Sequence, residues 1–119
     1  MKDFRELKVW ERAHGLVLAI YKATEAFPRQ ELYSLTNQIQ RAAVSIPANI
    51  AEGCGKSGDA DFRRYLQIAM GSSSDLEYLL LLAHDLNYLN NVVYEELSGN
   101  LIETRKMLNA LIQRLKANR

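Results

Sequence analysis

Apolar residues recur at intervals of three and four along most of the chain, and runs of alternating β-branched residues do not occur. This spacing is typical of amphipathic helices rather than strands. The pattern predicts four helices, which cover about Glu6–Ala26, Arg29 or Leu32 to Gly53, Ala60–Leu86, and the segment after the turn Asn87–Asn91. Because the connections are short, we expect an all-α, antiparallel up-down-up-down four-helix bundle in a single domain, residues 1–119.

Each predicted helix has an apolar face that we expect to point into the bundle. In the first helix this face comprises Trp10, His14, Val17, Tyr21 and Thr24. In the second helix it comprises Ile39, Ala43, Ile46 and Ile50. In the third it comprises Phe62, Tyr65, Leu66, Ala69, Leu76, Leu80, Ala83 and Asn87. In the fourth it comprises Val93, Leu97, Leu101, Thr104, Leu108, Leu111 and Leu115.

Two places interrupt the helical pattern. Pro47 cannot donate to the carbonyl of Ala43, and a proline inside a helix usually costs about 3 kcal/mol. Either one long helix is kinked there, or it breaks and restarts with Ser45 as the N-cap; the apolar periodicity continues across Pro47, which favours the kink. Ser98-Gly99-Asn100 is the second place, where the fourth helix either bends or restarts.

The third helix has an unusual distribution of large and small residues. Leu79–Leu82 lie on all of its sides, and Ile102 and Ile112 widen the apolar face of the fourth helix. A four-helix monomer cannot bury that much apolar surface, so we expect a homo-oligomer.

The small residues Gly71–Ser74 have poor helix propensity, and their presence predicts that another backbone approaches closely there.

A polar row borders the apolar face of the second helix. Arg41, Ser45, Asn49 and Glu52 fall within a sector of roughly 80°. The row is either a ligand site or a structural network, and we favour a network in which Arg41 pairs with Glu52 or with Asp75 and fixes the helix register. Ser45 and Asn49 are expected to satisfy backbone groups freed at Pro47. These five residues are called the polar seam below.

Composition narrows the class of protein. The 119 residues are 48% hydrophobic and 24% charged, as in globular domains. The net charge is only +1, from 15 basic and 14 acidic residues, so any basic surface has to be local. Cys54 is the only cysteine, which excludes an intramolecular disulfide. The chain starts with charged residues and has no apolar run near the ~18 residues of a membrane span, so we expect a cytoplasmic protein without a membrane partner.

No residue pattern predicts catalysis. Gly55-Lys56-Ser57 resembles part of a phosphate-binding loop, but position 50 is Ile where the motif requires glycine, and a helix precedes it instead of a strand. His14, His84 and Cys54 form no i,i+4 pair with one another, so no metal site is predicted. We therefore predict that the chain is not an enzyme, has no cofactor and has no small-molecule substrate.

Basic side chains are concentrated in two places. The outer face of the first helix carries Arg5, Lys8, Arg12 and Lys22, and the C-terminus carries Arg114, Lys116 and Arg119. Glu11 and Glu25 interrupt the first group, so by itself it is an ordinary solvated face. Repeated around a ring, the same residues would form a basic band that binds phosphates. The predicted nucleic-acid-binding residues are Arg5, Lys8, Arg12, Lys22, Arg114 and Lys116.

Several segments carry a family resemblance: Phe4–Trp10, Phe27-Pro28, Leu35–Ile39 leading into Arg41–Gly53, and Ala69–Ser72 followed by Asp75-Leu76-Glu77. On these segments the chain resembles the 23S rRNA intervening-sequence proteins, also called S23 ribosomal proteins. The resemblance implies a four-helix protomer that assembles into a ring, a pentamer. It extends to the accessory proteins of diversity-generating retroelements, basic pentamers that bind a reverse transcriptase and RNA.

This chain departs from the family pattern in two ways. Asp75 stands where a glutamate is common, and the chain is nearly neutral whereas the nucleic-acid-binding relatives are strongly basic. The resemblance favours a non-enzymatic oligomeric binding protein that contacts RNA or a nucleoprotein. The neutral charge favours a homo-oligomeric protein-interaction scaffold that binds no nucleic acid. An enzyme is the third and least supported hypothesis.

Overall fold

The computed structural model describes residues 3–117, which form four α-helices and no strand. The helices are α1 (Lys8–Thr24), α2 (Leu35–Cys54), α3 (Asp59–Asp85) and α4 (Asn91–Ala117), with short 3₁₀ turns at Phe4–Glu6 and Arg29–Glu31. Each helix packs on the next along the chain, and α4 closes against α1, so the predicted four-helix bundle is confirmed. Within residues 3–117, none of the helices combines enough length with enough apolar character to cross a lipid bilayer.

One core runs along the bundle axis. All four helices contribute fully buried aliphatic side chains, the largest being Leu16, Ile20, Ile39, Ile46, Ile50, Leu66, Leu76, Leu80, Leu101 and Leu108. Burial of each such side chain contributes about 1.5–3 kcal/mol to the folded state. In α4 the predicted inward face is buried from Leu97 onward, whereas Val93 is half-buried.

The inward face of α1 differs from the predicted one by about one position. Its buried residues are Val9, Ala13, Leu16, Val17, Ile20 and Thr24. Trp10 is half-buried, and both His14 and Tyr21 are exposed, so assigning the last two to the core was wrong. Aromatic stacking holds Trp10 at the edge, because its ring lies parallel to that of His14 with centroids 4.9 Å apart. Likewise, Asn87 lies outside α3, exposed and with φ of 67°.

The two suspected helix breaks are absent. Pro47 lies inside α2, which continues from Leu35 to Cys54, so the alternative in which the helix restarts at Ser45 is wrong. Gly99 likewise lies within the continuous α4. At Pro47 and at Gly99 the helix continues although the residue has low helix propensity. The apolar periodicity extends across both positions, and packing of the buried face outweighs local propensity.

Glycine permits a close approach of α2 to α3. A Cβ on Gly53 would lie 2.7 Å from Cβ of Tyr65 and 3.0 Å from Cδ1 of Phe62. Gly71, predicted to mark such an approach, is exposed, and a Cβ there would meet nothing within 4 Å. One close approach therefore occurs at Gly53, where α2 ends. Within the predicted run Gly71–Ser74, α3 meets α2 at Ser72, whose Oγ lies 2.7 Å from Ser45 Oγ, and not at Gly71.

A polar corner joins the start of α2 to the α3–α4 turn. Ser34 Oγ donates to Glu31 Oε1 at 2.6 Å, and Tyr88 Oη donates to Glu31 Oε2 at 2.9 Å. These hydrogen bonds hold the pKa of Glu31 below its ordinary value, and the hydrogen bond from Ser34 has the larger effect. The hydrogen bond to Glu31 also raises the pKa of Tyr88. The corner replaces the first turn of the predicted second helix, so α2 begins only at Leu35.

Gly53→Ala should destabilise the fold, because its new Cβ would overlap a Cβ of α3 that cannot rotate away. The expected loss in the free energy of unfolding is about 1–3 kcal/mol. Gly71→Ala is the matched control, also inside a helix, and should gain about 0.4–1 kcal/mol from lower chain entropy in the unfolded state. Urea unfolding of both variants measures the difference. Equal stabilities would contradict the close approach at Gly53.

Tyr88→Phe should lower the melting temperature at neutral pH, because it removes a donor from a charged carboxylate. The lowered pKa of Glu31 means that this stabilisation is present above the ordinary glutamate pKa and is lost as the pH falls through the folded value. The difference between wild type and variant should therefore shrink below about pH 4.3. Tyr33→Phe, at the most exposed tyrosine, is the control. A difference that stays constant down to acid pH would contradict the Tyr88–Glu31 contact.

Candidate functional site

The polar seam forms a hydrogen-bonded group at its centre. Ser45 Oγ of α2 lies 2.7 Å from Ser72 Oγ of α3, and Asn49 Nδ2 donates to Ser45 Oγ at 3.0 Å. The same amide donates to the Ser45 carbonyl at 2.8 Å, whereas Pro47 frees the carbonyl of Ala43. Ser45, Asn49 and Ser72 therefore join α2 to α3, and the Asn49 amide reinforces a carbonyl other than the one freed by the proline.

The charged members of the seam do not form the expected ion pairs. Glu52 Oε2 pairs with Lys56 Nζ at 3.3 Å on the solvent side. Arg41 and Asp75 are both exposed, and neither forms a hydrogen bond or ion pair with any residue between 3 and 117. Since Ser45 lies opposite Ser72 in antiparallel helices, Arg41 and Asp75 lie at nearly the same level of the bundle. The seam thus divides into a bonded centre and two exposed, unpaired charges of opposite sign.

Most of the predicted nucleic-acid-binding residues lie along the groove between α1 and α4. Lys8, Arg12 and Lys22 line it from α1, and Arg114 lines it from α4. Arg5 does not line the groove, and its guanidinium pairs with Asp3 at 3.1 Å. Lys116 is exposed in the last turn of α4 and does not line the groove, and Arg119 lies outside the described residues.

This α1–α4 groove consists of three clefts of about 420, 480 and 440 Å³. Its floor is apolar, with Ala19, Ala23 and Val93 near one end and Met107 and Leu111 near the other. Near the middle, Arg12 Nη1 donates to Asn100 Oδ1 at 3.1 Å, which ties the two walls together. The structure therefore arranges the basic residues in a row along the length of the bundle.

The groove is not uniformly positive. Its lining includes the carboxylates Glu6, Glu11 and Glu96 beside the four cations. A single protomer therefore offers phosphates only a small excess of positive charge, in agreement with the net charge of +1.

The residues first considered for catalysis have structural surroundings. Among residues 3–117, no three His, Cys, Asp or Glu side chains come together as a metal site would require. His84 Nε2 lies 2.6 Å from Asn91 Oδ1, and its ring stacks on Tyr94. Lys56 follows a helix, as expected, and its ammonium lies 5.7 Å from the centre of the Tyr65 ring. His84 and Lys56 both make contacts at helix ends.

The sequence pointed to one of the polar contacts between helices and missed others. Ser72, the partner of Ser45, lies in the run of small residues Gly71–Ser74 where a close approach was predicted. Asn100, in the segment where the fourth helix was expected to bend or restart, accepts a hydrogen bond from Arg12. Thr36 and Gln40 line a cleft beside α1, and neither was predicted to have a role. The sequence signal that could have identified Thr36 is a polar residue at a buried position of a helix.

The comparisons with known proteins agree with one another. The family model described as 23S rRNA-intervening sequence protein matches residues 5–110. No curated protein matches the chain. A similar solved structure is that of a protein with unknown function from the S23 ribosomal protein family of Bacteroides thetaiotaomicron VPI-5482. It is 27% identical, with a TM-score of 0.81 over 88% of this chain and 95% of that chain. The sequence segments, the bundle and these matches together show that the chain belongs to the 23S rRNA-intervening sequence protein family.

Proposed function

We propose that the protein is a non-catalytic, oligomeric binding protein of the cytoplasm that contacts RNA or a nucleoprotein through the α1–α4 groove. The observation that carries this proposal is the row of Lys8, Arg12, Lys22 and Arg114 along the groove. Cations along a groove attract the phosphates of a nucleic-acid strand. The family description, which refers to an intervening sequence of 23S rRNA, supports the same interpretation.

Self-association is part of the proposal, because the outer face of α2 and α3 has apolar residues that the protomer leaves exposed. Val44, Ile68, Tyr78 and Leu81 are each between 39% and 59% exposed. The unpaired Arg41 and Asp75 lie on the same two helices. We infer that Arg41 of one copy pairs with Asp75 of another. Family resemblance makes the assembly a ring, a pentamer.

A ring would compensate for the weak charge of each groove. One groove has only a small excess of cations, but several grooves at fixed positions act together on one strand, and linked contacts multiply affinity. Each contacted phosphate releases counterions, and these contributions to the binding affinity add up over all copies in the assembly.

A protein-interaction scaffold is the second candidate function. Glu6, Glu11 and Glu96 nearly balance the cations of the groove, and its floor is apolar. A groove with these properties also suits an amphipathic helix of a partner protein, which contributes apolar side chains to the floor and mixed charges to the rims.

Charge reversal tests the proposed contact between copies. Arg41→Asp and Asp75→Arg should each reduce the oligomer to smaller species, because like charges would face one another across the interface. The double variant restores an opposite pair and should restore the assembly. Sedimentation velocity measures the mass of each species. Single variants that assemble as wild type does, or a wild type that is monomeric throughout, would exclude this contact.

Salt-dependent binding tests the RNA contact. Lys8→Ala and Lys22→Ala should each weaken binding of single-stranded RNA and lower the slope of log K against log salt, by about 0.7 for each phosphate that is no longer neutralised. Lys106→Ala is the control, since Lys106 lies outside the groove and pairs with Glu103. Fluorescence anisotropy at several salt concentrations gives both quantities. Absence of any binding at low salt would remove the RNA function and leave the scaffold.

A further inference from the structure

One arginine of the α1–α4 groove is held in place by a neutral side chain. Arg12 on α1 donates from Nη1 to Asn100 Oδ1 on α4, at 3.1 Å. Both residues line the middle cleft of the groove, which has a volume of about 480 Å³. Arg12 is exposed and Asn100 is half-buried, so a ligand in this cleft can reach both side chains.

The other lysine and arginine side chains that have a polar partner in the described part of the chain are paired with carboxylates. These pairs are Arg5 with Asp3, Lys56 with Glu52, Arg64 with Asp61, Arg105 with Glu77, and Lys106 with Glu103. A carboxylate neutralises the cation that it binds, whereas an amide oxygen leaves the charge uncompensated. Glu11 is the one carboxylate that lines the middle cleft, and it forms no ion pair with Arg12. Arg12 is therefore both held by a hydrogen bond and free of an ion pair.

The groups around this contact are mainly hydrogen-bond donors. Arg12 uses one N–H on Asn100, and its other N–H groups and those of the Asn100 amide have no acceptor among residues 3–117. Gly15 lines the same cleft, and a Cβ there would meet nothing within 4 Å, so there is room beside the guanidinium. Lys8 adds a second cation to the lining. Donors and positive charge in an accessible cleft suit an oxyanion such as a phosphate.

Asparagine at position 100 is unfavourable for the helix that contains it. Asn100 follows Gly99 in the interior of α4, and both residues have lower helix propensity than alanine. Thr104 Oγ1 donates to the backbone carbonyl of Asn100 at 2.9 Å, but the side chain of Asn100 is hydrogen-bonded only to the exposed Arg12. A residue that weakens its helix and makes one exposed hydrogen bond is better explained by binding than by stability.

We propose that Arg12 is the phosphate-binding residue at the middle of the α1–α4 groove and that Asn100 is its positioning residue. Asn100 holds the guanidinium across the groove before a ligand arrives, so binding does not have to immobilise a flexible side chain. The free N–H groups of Arg12 then donate to the phosphate oxygens. A phosphodiester within a strand and a free phosphate ion offer the same oxygens, and the strand as source rests on the proposed function.

A double-mutant cycle in the full chain tests the role of Asn100. Asn100→Ala should weaken binding of a short single-stranded RNA about two- to tenfold, which is the effect of ordering one long side chain. The melting temperature should stay unchanged or rise, since alanine favours the helix. In an Arg12→Ala background the same substitution should have no effect on binding, because Asn100 acts through Arg12. Equal losses in both backgrounds, measured by fluorescence anisotropy, would overturn the positioning role.

A change of charge at the same position gives an independent readout. Asn100→Asp supplies Arg12 with a carboxylate partner, so it should weaken RNA binding more than Asn100→Ala does. It should also lower the slope of log K against log salt by about 0.7, the value for one phosphate contact. Asn109→Asp is the matched control, because it adds the same charge at an exposed position of α4 that does not line the groove. Equal effects of the two aspartates would show that only the net charge matters and would overturn the inference.

The outcomes separate this inference from the proposed function. If Lys8→Ala weakens RNA binding but Arg12→Ala and Asn100→Ala do not, the inference is wrong and the proposed function stands. Titration calorimetry with inorganic phosphate tests the free ion as the source. If inorganic phosphate binds through Arg12 and Asn100 but no RNA binds at low salt, the cleft is a site for the free ion and the RNA function is wrong. No binding of either ligand overturns both.

Discussion

At Gly53, α2 packs so closely on α3 that a single added methyl group would overlap the Tyr65 Cβ, 2.7 Å away. Two turns earlier along α2, the Ser45–Ser72 contact joins the same two helices through a pair of small hydroxyl side chains. Both contacts require small residues, and together they fix the register of α2 against α3. This pair shares the most extensive helix interface of the bundle, and α1 and α4 pack around it.

The position of α2 on α3 determines which surfaces are left for binding. Buried aliphatic side chains fill the bundle axis, so the polar and charged residues that remain are directed outward. The α1–α4 interface is the least extensive between neighbouring helices, which leaves an open groove there. On the opposite side, the outer face of α2 and α3 keeps exposed apolar residues and the unpaired Arg41 and Asp75. The fold thus places the two surfaces that we propose for self-association and for a partner on opposite sides of the bundle.

Helical periodicity was sufficient to predict the bundle and the inward faces of α2 and α4, because a buried stripe recurs at 3.6 residues whatever its neighbours are. It placed the α1 face about one residue away, since Trp10, His14 and Tyr21 are large enough to imitate a core stripe while lying at its edge. Close approach was predicted for the run Gly71–Ser74, where Ser72 contacts Ser45 but Gly71 meets nothing, and a second approach occurs at Gly53. Spacing along one helix does not reveal which small residue faces a neighbour. The contact of Arg12 with Asn100 depends on the register between helices, which one sequence does not determine.

The proposed function depends on a ring in which several copies of this chain bind RNA together. Purification of the protein from its native cells, with and without nuclease, followed by native mass spectrometry, tests for that ring and its RNA in one experiment. We expect a homo-oligomeric mass in both samples and additional bound RNA only without nuclease. A monomeric mass with no RNA in either sample would contradict the proposal.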